Sequence, residues 1–266
     1  MMPMNLVLVR HGESEGNVAR GRSEHGDNSL FTEEFMNRHS SKLRLTDKGR
    51  TQAIAAGEWI KNNLNFKFGR HMVSSYMRAM ETAALLNLSN PQWYQDIYLR
   101  ERDIGAFDII SEESKQRDYP KAFAEYKRDP FYWTPPNGES VAQLCLRIDR
   151  VLDTLHRECQ DKNVIIVCHG MVMWGFMIRL EKLTPQNFLD RSQHGNLAFR
   201  IRNCQILHYT RLDPSEPSTA AVRCEWARSV CPWDLASPSL WRRISRPRYS
   251  NDELLREVEL SPRLVS

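Results

Sequence analysis

Two short, unbroken apolar runs stand out in an otherwise mixed chain. Asn5-Leu6-Val7-Leu8-Val9 and Val164-Ile165-Ile166-Val167-Cys168 lack alternation, as expected of strands buried on both faces of a sheet. Each run is followed by His-Gly, as His11-Gly12 after Arg10 and as His169-Gly170. Between and after them the pattern changes to helical steps. After Thr46, a plausible N-cap, Ala53, Ala56, Gly57, Ile60 and Leu64 recur at helical spacing; after Ser140, Val141, Leu144, Cys145, Ile148, Leu152 and Leu155 do so more strongly. Ser140 with Gln143 fits a capping box. Val73-Ser74 reads as the end of a further strand, with Arg78 at the start of a helix, and Trp174, Met177 and Ile178 mark another helix after Gly170. Strands that deliver His-Gly at their carboxyl ends, with helices between them, predict an α/β sheet with a site at one edge.

Polar stretches interrupt this framework. Gly21 to Ser41 is irregular and reads as an insertion or lid, and Lys115 to Pro136 is charged and aromatic and reads as a helical excursion. From Asp213 onward prolines accumulate and only Asp252 to Leu260 is helix-like, so a non-core extension is expected. The apolar runs are too short to span a bilayer and no secretory pattern precedes Arg10, so a cytoplasmic protein with no membrane partner is expected. A net charge of +4 makes nucleic acid an unexpected partner. The basic patch Arg242, Arg243, Arg246 and Arg248, beside Trp241 and Tyr249, reads as a solvated tail. Cysteines 145, 159, 168, 204, 224 and 231 form no C-x-x-C pair, which argues against structural zinc and for small buried thiols.

The candidate chemistry sits where the strands end. Arg10 offers a forked cation suited to phosphate oxygens, Gly12 permits close backbone approach, and Asn17 follows as a neutral donor. Arg-His-Gly alone is only a tripeptide; its partners make it informative. Arg78 falls near a helix amino terminus, Glu101 falls in a turn, and His169 completes the set. Two arginines and two histidines together would neutralise a dianionic phosphoryl group, while one carboxylic acid could protonate a leaving alkoxide. No carboxylate cluster or His-x-x-x-His spacing provides for a metal, and no cofactor is expected.

These blocks together resemble the histidine phosphatase superfamily, the phosphoglycerate-mutase-like proteins. Leu8 to Asn17 is close to that family's signature. Leu45 to Ala53, Tyr76 to Ala83, Glu101 to Gly105, Gly138-Glu139-Ser140 and Ile166 to Gly170 fill the remaining blocks in order, over about Asn5 to Thr210. The resemblance implies a three-layer α/β/α sandwich with a mostly parallel central sheet. It places a phosphatase domain at 1–212, with insertions near 21–41 and 108–136, and a C-terminal extension at 213–266. It further implies that His11 becomes phosphohistidine, that Arg10, Asn17, Arg78 and His169 hold the phosphoryl group, and that Glu101 is the proton donor, without a metal. Glu13 and Ser14 would support the signature loop, and Arg102 would either brace Glu101 or be solvated. His25, His39, His71, His156, His194 and His208 read as surface or packing residues, with His25 and His39 in the lid near substrate. Phe131, Tyr132 and Trp133 read as a packed flap.

Three functions fit such a pocket: phosphomonoester hydrolysis, mutase-type phosphoryl transfer, and non-catalytic binding of a phosphorylated ligand. Cofactor-dependent phosphoglycerate mutases typically carry tryptophan where Gly16 stands and an arginine-rich insertion after the Glu block; this chain has neither. Retention of His11, Arg10, Arg78, Glu101 and His169 disfavours a binding-only member. The favoured expectation is a broad-specificity phosphatase acting on a phosphorylated small molecule or other phosphomonoester, with a phosphorylated protein as substrate and homo-oligomerisation left open.

Overall fold

In the computed structural model, which describes residues 1–193, 199, 201–216, 218–234 and 239–265, both apolar runs are adjacent strands of one 7-stranded sheet. β1 (Asn5–Arg10) and β4 (Asn163–Cys168) pair in parallel, with Arg10 opposite Cys168. β2 (Arg70–Ser74) lies on the far side of β4, and β3 (Trp93–Asp96) follows it at the edge, both again parallel. Beyond β1 the sheet becomes antiparallel through β5 (Ile206–Thr210), β6 (Trp226–Val230) and β7 (Arg242–Arg243). The expected parallel arrangement therefore holds for one side, and the sheet as a whole is mixed. Parallel neighbours require a crossover long enough to return the chain to the same end. Such helical crossovers separate β1 to β4, whereas among the described residues no helix separates β5, β6 and β7.

Alternation within the apolar strands builds the layers. Leu6, Leu8, Val164 and Ile166 pack with Leu144, Ile148, Met173 and Phe176 of α7 (Val141–Glu158) and α8 (Gly170–Glu181). Val7, Val9, Ile165 and Val167 pack with Ala53, Ala56, Ile60 and Ala83 of α3 (Asp47–Asn63) and α4 (Met77–Leu85). Every side chain from Leu6 to Val9 and from Val164 to Cys168 thus leaves water, which explains the absence of polar positions among them. The caps form as expected: the Thr46 hydroxyl accepts from the Gly49 amide at 3.0 Å. Ser140 Oγ accepts from the Gln143 amide at 3.1 Å, while Gln143 Oε1 accepts from the Ser140 amide at 2.7 Å.

The 21–41 segment contains the end of α1 (Glu15–Ser23), the short α2 (Glu33–Asn37) and the start of a single turn at Ser40–Lys42. The 108–136 segment carries α5 (Glu112–Asp118) and α6 (Pro120–Arg128). They join each other: Asn28 Nδ2 donates to Glu113 at 3.0 Å and the Glu112 amide to Ser23 Oγ at 2.9 Å. α9 (Pro185–Gln193) follows α8, and α10 (Asn251–Glu259) lies near the carboxyl end.

The stretch after Asp213, expected to lie outside the core, instead extends it. Cys224, Ala227, Val230, Cys231 and Ile244 are buried there. Of the prolines that made this stretch look irregular, Pro214 and Pro232 fall on either side of β6 and outside it. The expected solvated basic tail is corrected for two of its arginines. Arg242 donates to the fully buried Glu181 at 3.0 Å, and Arg246 donates to the Leu180 carbonyl at 3.0 Å and pairs with Glu225. α10 does remain outside the core, with Leu254, Leu255 and Val258 exposed. All six cysteines are buried. His194 lies outside the described residues.

Candidate active site

Strand register brings the two His-Gly segments together. Because Arg10 pairs with Cys168 and the His11 amide donates to the Cys168 carbonyl at 2.9 Å, His11 and His169 leave neighbouring parallel strands side by side, with ring centroids 5.1 Å apart. The turn after His11 is fixed by contact with helices. The Gly12 amide donates to Thr82 Oγ1 of α4 at 3.0 Å. A Cβ on Gly12 would lie 2.3 Å from the Gly49 carbonyl oxygen, and one on Gly49 would lie 1.9 Å from that of Glu13. Only two glycines allow the loop and the start of α3 to approach this closely.

The His11 ring is almost fully buried and its tautomer follows from its neighbours. Nδ1 lies 2.7 Å from the Gly12 carbonyl oxygen, which only accepts, so Nδ1 carries the proton and Nε2 keeps its lone pair. Arg78 Nε donates to that Nε2 at 3.2 Å. Burial, reinforced by the Arg78 and Arg10 guanidinium groups, holds the His11 pKa well below the ordinary histidine value. His169 is depressed in the same way, by burial first and then by Arg78, His11 and Arg10. Its Nε2 meets Ser74 Oγ at 2.7 Å, at the end of β2, and its buried Nδ1 has no partner. Arg10 donates to the Ile201 carbonyl at 2.8 Å, and its buried Nε has no partner. Arg78 also donates to the Ser40 carbonyl at 2.7 Å, linking it to the 21–41 segment.

Asn17 Oδ1 accepts from Asn203 Nδ2 at 2.9 Å, and Asn203 also donates to the His11 carbonyl at 3.1 Å. The carbonyl oxygen of Asn17 is thereby engaged, leaving its amide nitrogen to donate. Glu101 sits in a braced turn: Oε1 accepts from the Arg102 amide at 2.8 Å, and the main-chain carbonyl accepts from Arg147 at 3.2 Å. Arg147 is itself paired with Glu139, which receives the Asp103 amide at 3.0 Å. Arg102 is neither solvated nor bound to the Glu101 carboxylate through its side chain; its guanidinium is buried and donates to the Glu139 and Trp133 carbonyls at 2.8 and 3.2 Å. Glu13 pairs with Lys48 at 2.8 Å and accepts from Thr46 at 3.0 Å, tying the signature loop to α3.

Arg10, His11, Asn17, Arg78 and Glu101 line one cavity of about 380 Å³. His169 is fully buried against His11 and Tyr76 and is not among its lining residues. His39 reaches the cavity, whereas His25 is exposed and donates to the Gly21 carbonyl at 2.8 Å. His71 and His208 are buried, and His156 is exposed. Of the expected flap, Phe131 is core, Tyr132 is exposed and Trp133 lines the cavity. Among the described residues, no group of three or more histidine, cysteine, aspartate or glutamate side chains is placed to hold a metal ion.

The family model of the histidine phosphatase superfamily (branch 1) matches residues 6–205. The chain belongs to this superfamily. Bovine 6-phosphofructo-2-kinase/fructose-2,6-bisphosphatase 1 is 32% identical over 173 residues, covering 64% of this chain and 31% of the relative. The chain thus spans about three tenths of the length of that bifunctional relative. The phosphoglycerate mutase-like protein AT74H of Arabidopsis thaliana is 25% identical over 225 residues, covering 76% and 74% of the two chains. The fold matches the α-ribazole phosphatase of Shigella flexneri at a TM-score of 0.63, with 19% identity and coverage of 83% and 95%. It also matches mycobacterial glucosyl-3-phosphoglycerate phosphatase at 0.61, with 21% identity and coverage of 92% and 99%.

In this superfamily member every site residue expected from sequence falls within the matched span. Several neighbours escaped sequence reasoning. Arg20, which lines the cavity and adds its positive field at Arg10, His11 and Arg78, stands between Asn17 and the polar 21–41 segment, where the sequence pattern singled out no residue. Its position three residues after Asn17, one turn along α1, was the available signal. Ser74, Asn203 and Arg147 carried no local signal, because their partners lie far away in the chain.

Proposed function

We propose that this chain is a phosphomonoesterase that hydrolyses a phosphorylated small molecule through a phosphohistidine on His11. The observation that carries this reading is the His11 ring itself, neutral and with its Nε2 lone pair held by the Arg78 guanidinium, in a cationic cavity that Glu101 also lines. Nε2 attacks phosphorus in line, the bond to the ester oxygen breaks, and Glu101 gives that oxygen its proton. Glu101, now a carboxylate, takes a proton from water; the resulting hydroxide attacks phosphorus, the P–N bond breaks, and inorganic phosphate leaves. Arg10, Asn17 and Arg78, which line the cavity, hold the phosphoryl oxygens. His169 packs against the His11 ring just outside that lining, and its unpartnered Nδ1 is the group that joins them if the ring turns toward the bound dianion.

The amino termini of α1, α4 and α8 lie close to Asn17, Arg78 and His169, so helix dipoles add to the same positive field. With two or more arginines on the phosphoryl group, no step requires a metal. The phosphatase names borne by relatives and structural neighbours support hydrolysis, as does Gly16 where the mutases typically carry tryptophan.

The test is trapping of the intermediate during hydrolysis of p-nitrophenyl phosphate. Acid-labile, alkali-stable label is expected on the wild type and none on His11→Ala, with turnover persisting in excess chelator. Label on serine or cysteine, or activity that EDTA removes and a divalent ion restores, overturns the mechanism. Conversion of 3-phosphoglycerate to its 2-isomer faster than phosphate release would make the chain a mutase.

A further inference from the structure

We infer that the alcohol part of the substrate is a bulky apolar, aromatic-rich group, held between side chains that the two insertions present to the cavity. This rests on the phosphomonoesterase reading, because it is the seating of the phosphoryl group on His11 that leaves the rest of the cavity to the departing alcohol.

The walls around that remaining space are unusually rich in rings. Phe31 and Phe35 come from the 21–41 segment; Phe107, Phe123, Tyr126 and Trp133 come from the stretch that leads through α5 and α6. Phe107 and Tyr126 stack on Trp133 with centroids 5.2 and 5.0 Å apart, a panel anchored by burial of Phe107 and Trp133. Phe31 and Phe35 meet edge to face at 5.5 Å, and both remain only half-buried, as does Phe123. Half-covered rings on opposing walls of one cavity gain by covering a third apolar surface, and flat groups suit their edge and offset geometries.

Charged side chains also line the cavity, and some of them are already engaged: Lys115 pairs with Glu112, and Asp103 accepts from the Gly105 amide at 2.8 Å, while Arg20, Glu24 and Asp108 complete the set. Where the alcohol faces the rings, a polyhydroxylated group would lose water without regaining its hydrogen bonds from them. The walls are also joined, through Asn28 to Glu113 and Ser23 to Glu112, so the space between them is held by the protein itself.

A series of primary alkyl phosphates tests this without changing leaving-group chemistry much. Glycerol 1-phosphate, 2-phenylethyl phosphate and 2-(1-naphthyl)ethyl phosphate are compared by phosphate release. Because each buried methylene equivalent contributes roughly fourfold, kcat/KM should climb by at least about thirtyfold from the first to the last. In Phe31→Ala/Phe35→Ala that ratio should fall by about tenfold, and in Phe123→Ala, on the opposite wall, it should fall as well. Calorimetric binding of methylphosphonate and 3-phenylpropylphosphonate reads the same preference without turnover. Phosphate release that is equal across the series, or fastest from glycerol phosphate, overturns the inference and leaves the phosphatase reading intact. Absence of release with tighter binding of the aryl phosphonate overturns the phosphatase reading and leaves the pocket inference standing. Equal binding of both phosphonates overturns the inference.

Discussion

His11 attacks only while its ring is neutral, and its surroundings enforce that state from three directions: burial, Arg78 and Arg10. The acid limb of kcat/KM should therefore lie well below the ordinary histidine value of about 6.5. Arg78→Met removes a guanidinium whose Nε stands 3.2 Å from Nε2, so the His11 pKa should rise and the acid limb should move to higher pH. Turnover should fall by about 10²–10³, the loss typical of one transition-state donor. A pH–rate profile checks both, and a limb that stays in place removes Arg78 from control of His11. Glu101 is separable by leaving group. Glu101→Gln keeps an oxygen for the Arg102 amide but has no proton to give, so hydrolysis of an alkyl phosphate should drop by about 10²–10⁴. Hydrolysis of p-nitrophenyl phosphate, whose phenolate leaves with little help, should drop less than the alkyl ester. Equal loss on both esters would assign Glu101 a structural part.

At the scale of elements, the site depends on how closely a loop can lie against a helix. Alanine normally improves a helix by about 1 kcal/mol over glycine. Gly49 in the first turn of α3 should behave oppositely, because its Cβ would stand 1.9 Å from the Glu13 carbonyl oxygen. Gly49→Ala is expected to lower stability by about 1–3 kcal/mol, as overpacking does, and to reduce turnover by displacing the His11 loop. Thermal melts and kinetics on one preparation check it; a more stable, fully active variant would mean the contact relaxes freely. The turn at Glu101 is braced in a different way, by side chains of α7. Arg147 spans from Glu139 to the Tyr98 and Glu101 carbonyls, so the acid is positioned from the helix after the excursion as well as by its own backbone.

For the whole molecule, the mixed sheet carries a pH dependence of its own. His208 on β5 is buried, lies 2.9 Å from Asn5 Oδ1 through Nε2 and packs on Trp241; burial, then Arg228, pushes its pKa down to about 3. His11 and His169 are depressed as well. In the unfolded chain these groups titrate near 6.5, so below that pH the unfolded state binds more protons than the folded one. Their contribution is therefore complete above about pH 6.5 and is lost progressively as pH falls toward the folded values. Unfolding free energy from denaturant titrations should decline below about pH 6.5. Between about pH 6 and 4 the decline should be shallower in His208→Gln by about 1.4 kcal/mol per pH unit. An identical slope in the variant would show that His208 is not neutral in the fold.

Sequence alone determined whatever depends on local periodicity and on short spacings. The runs ending at Val9 and Cys168 read as strands covered on both faces, and Thr46 and Ser140 with Gln143 announced their helices, because caps act within one turn. His11, Arg78, Glu101 and His169 could be singled out because each stands at the end of a readable element or in a turn between elements. What brought them together was the pairing of β4 with β1 on one side and β2 on the other, a matter of long-range register. The antiparallel half of the sheet was hidden because β5 and β6 are short and the prolines of their connections dominate the local pattern. Ser74 against His169, Asn203 against Asn17, and Arg242 on Glu181 were hidden for a related reason. A buried polar group must find a partner, but which partner it finds depends on where distant segments arrive, so only the tertiary structure decides it.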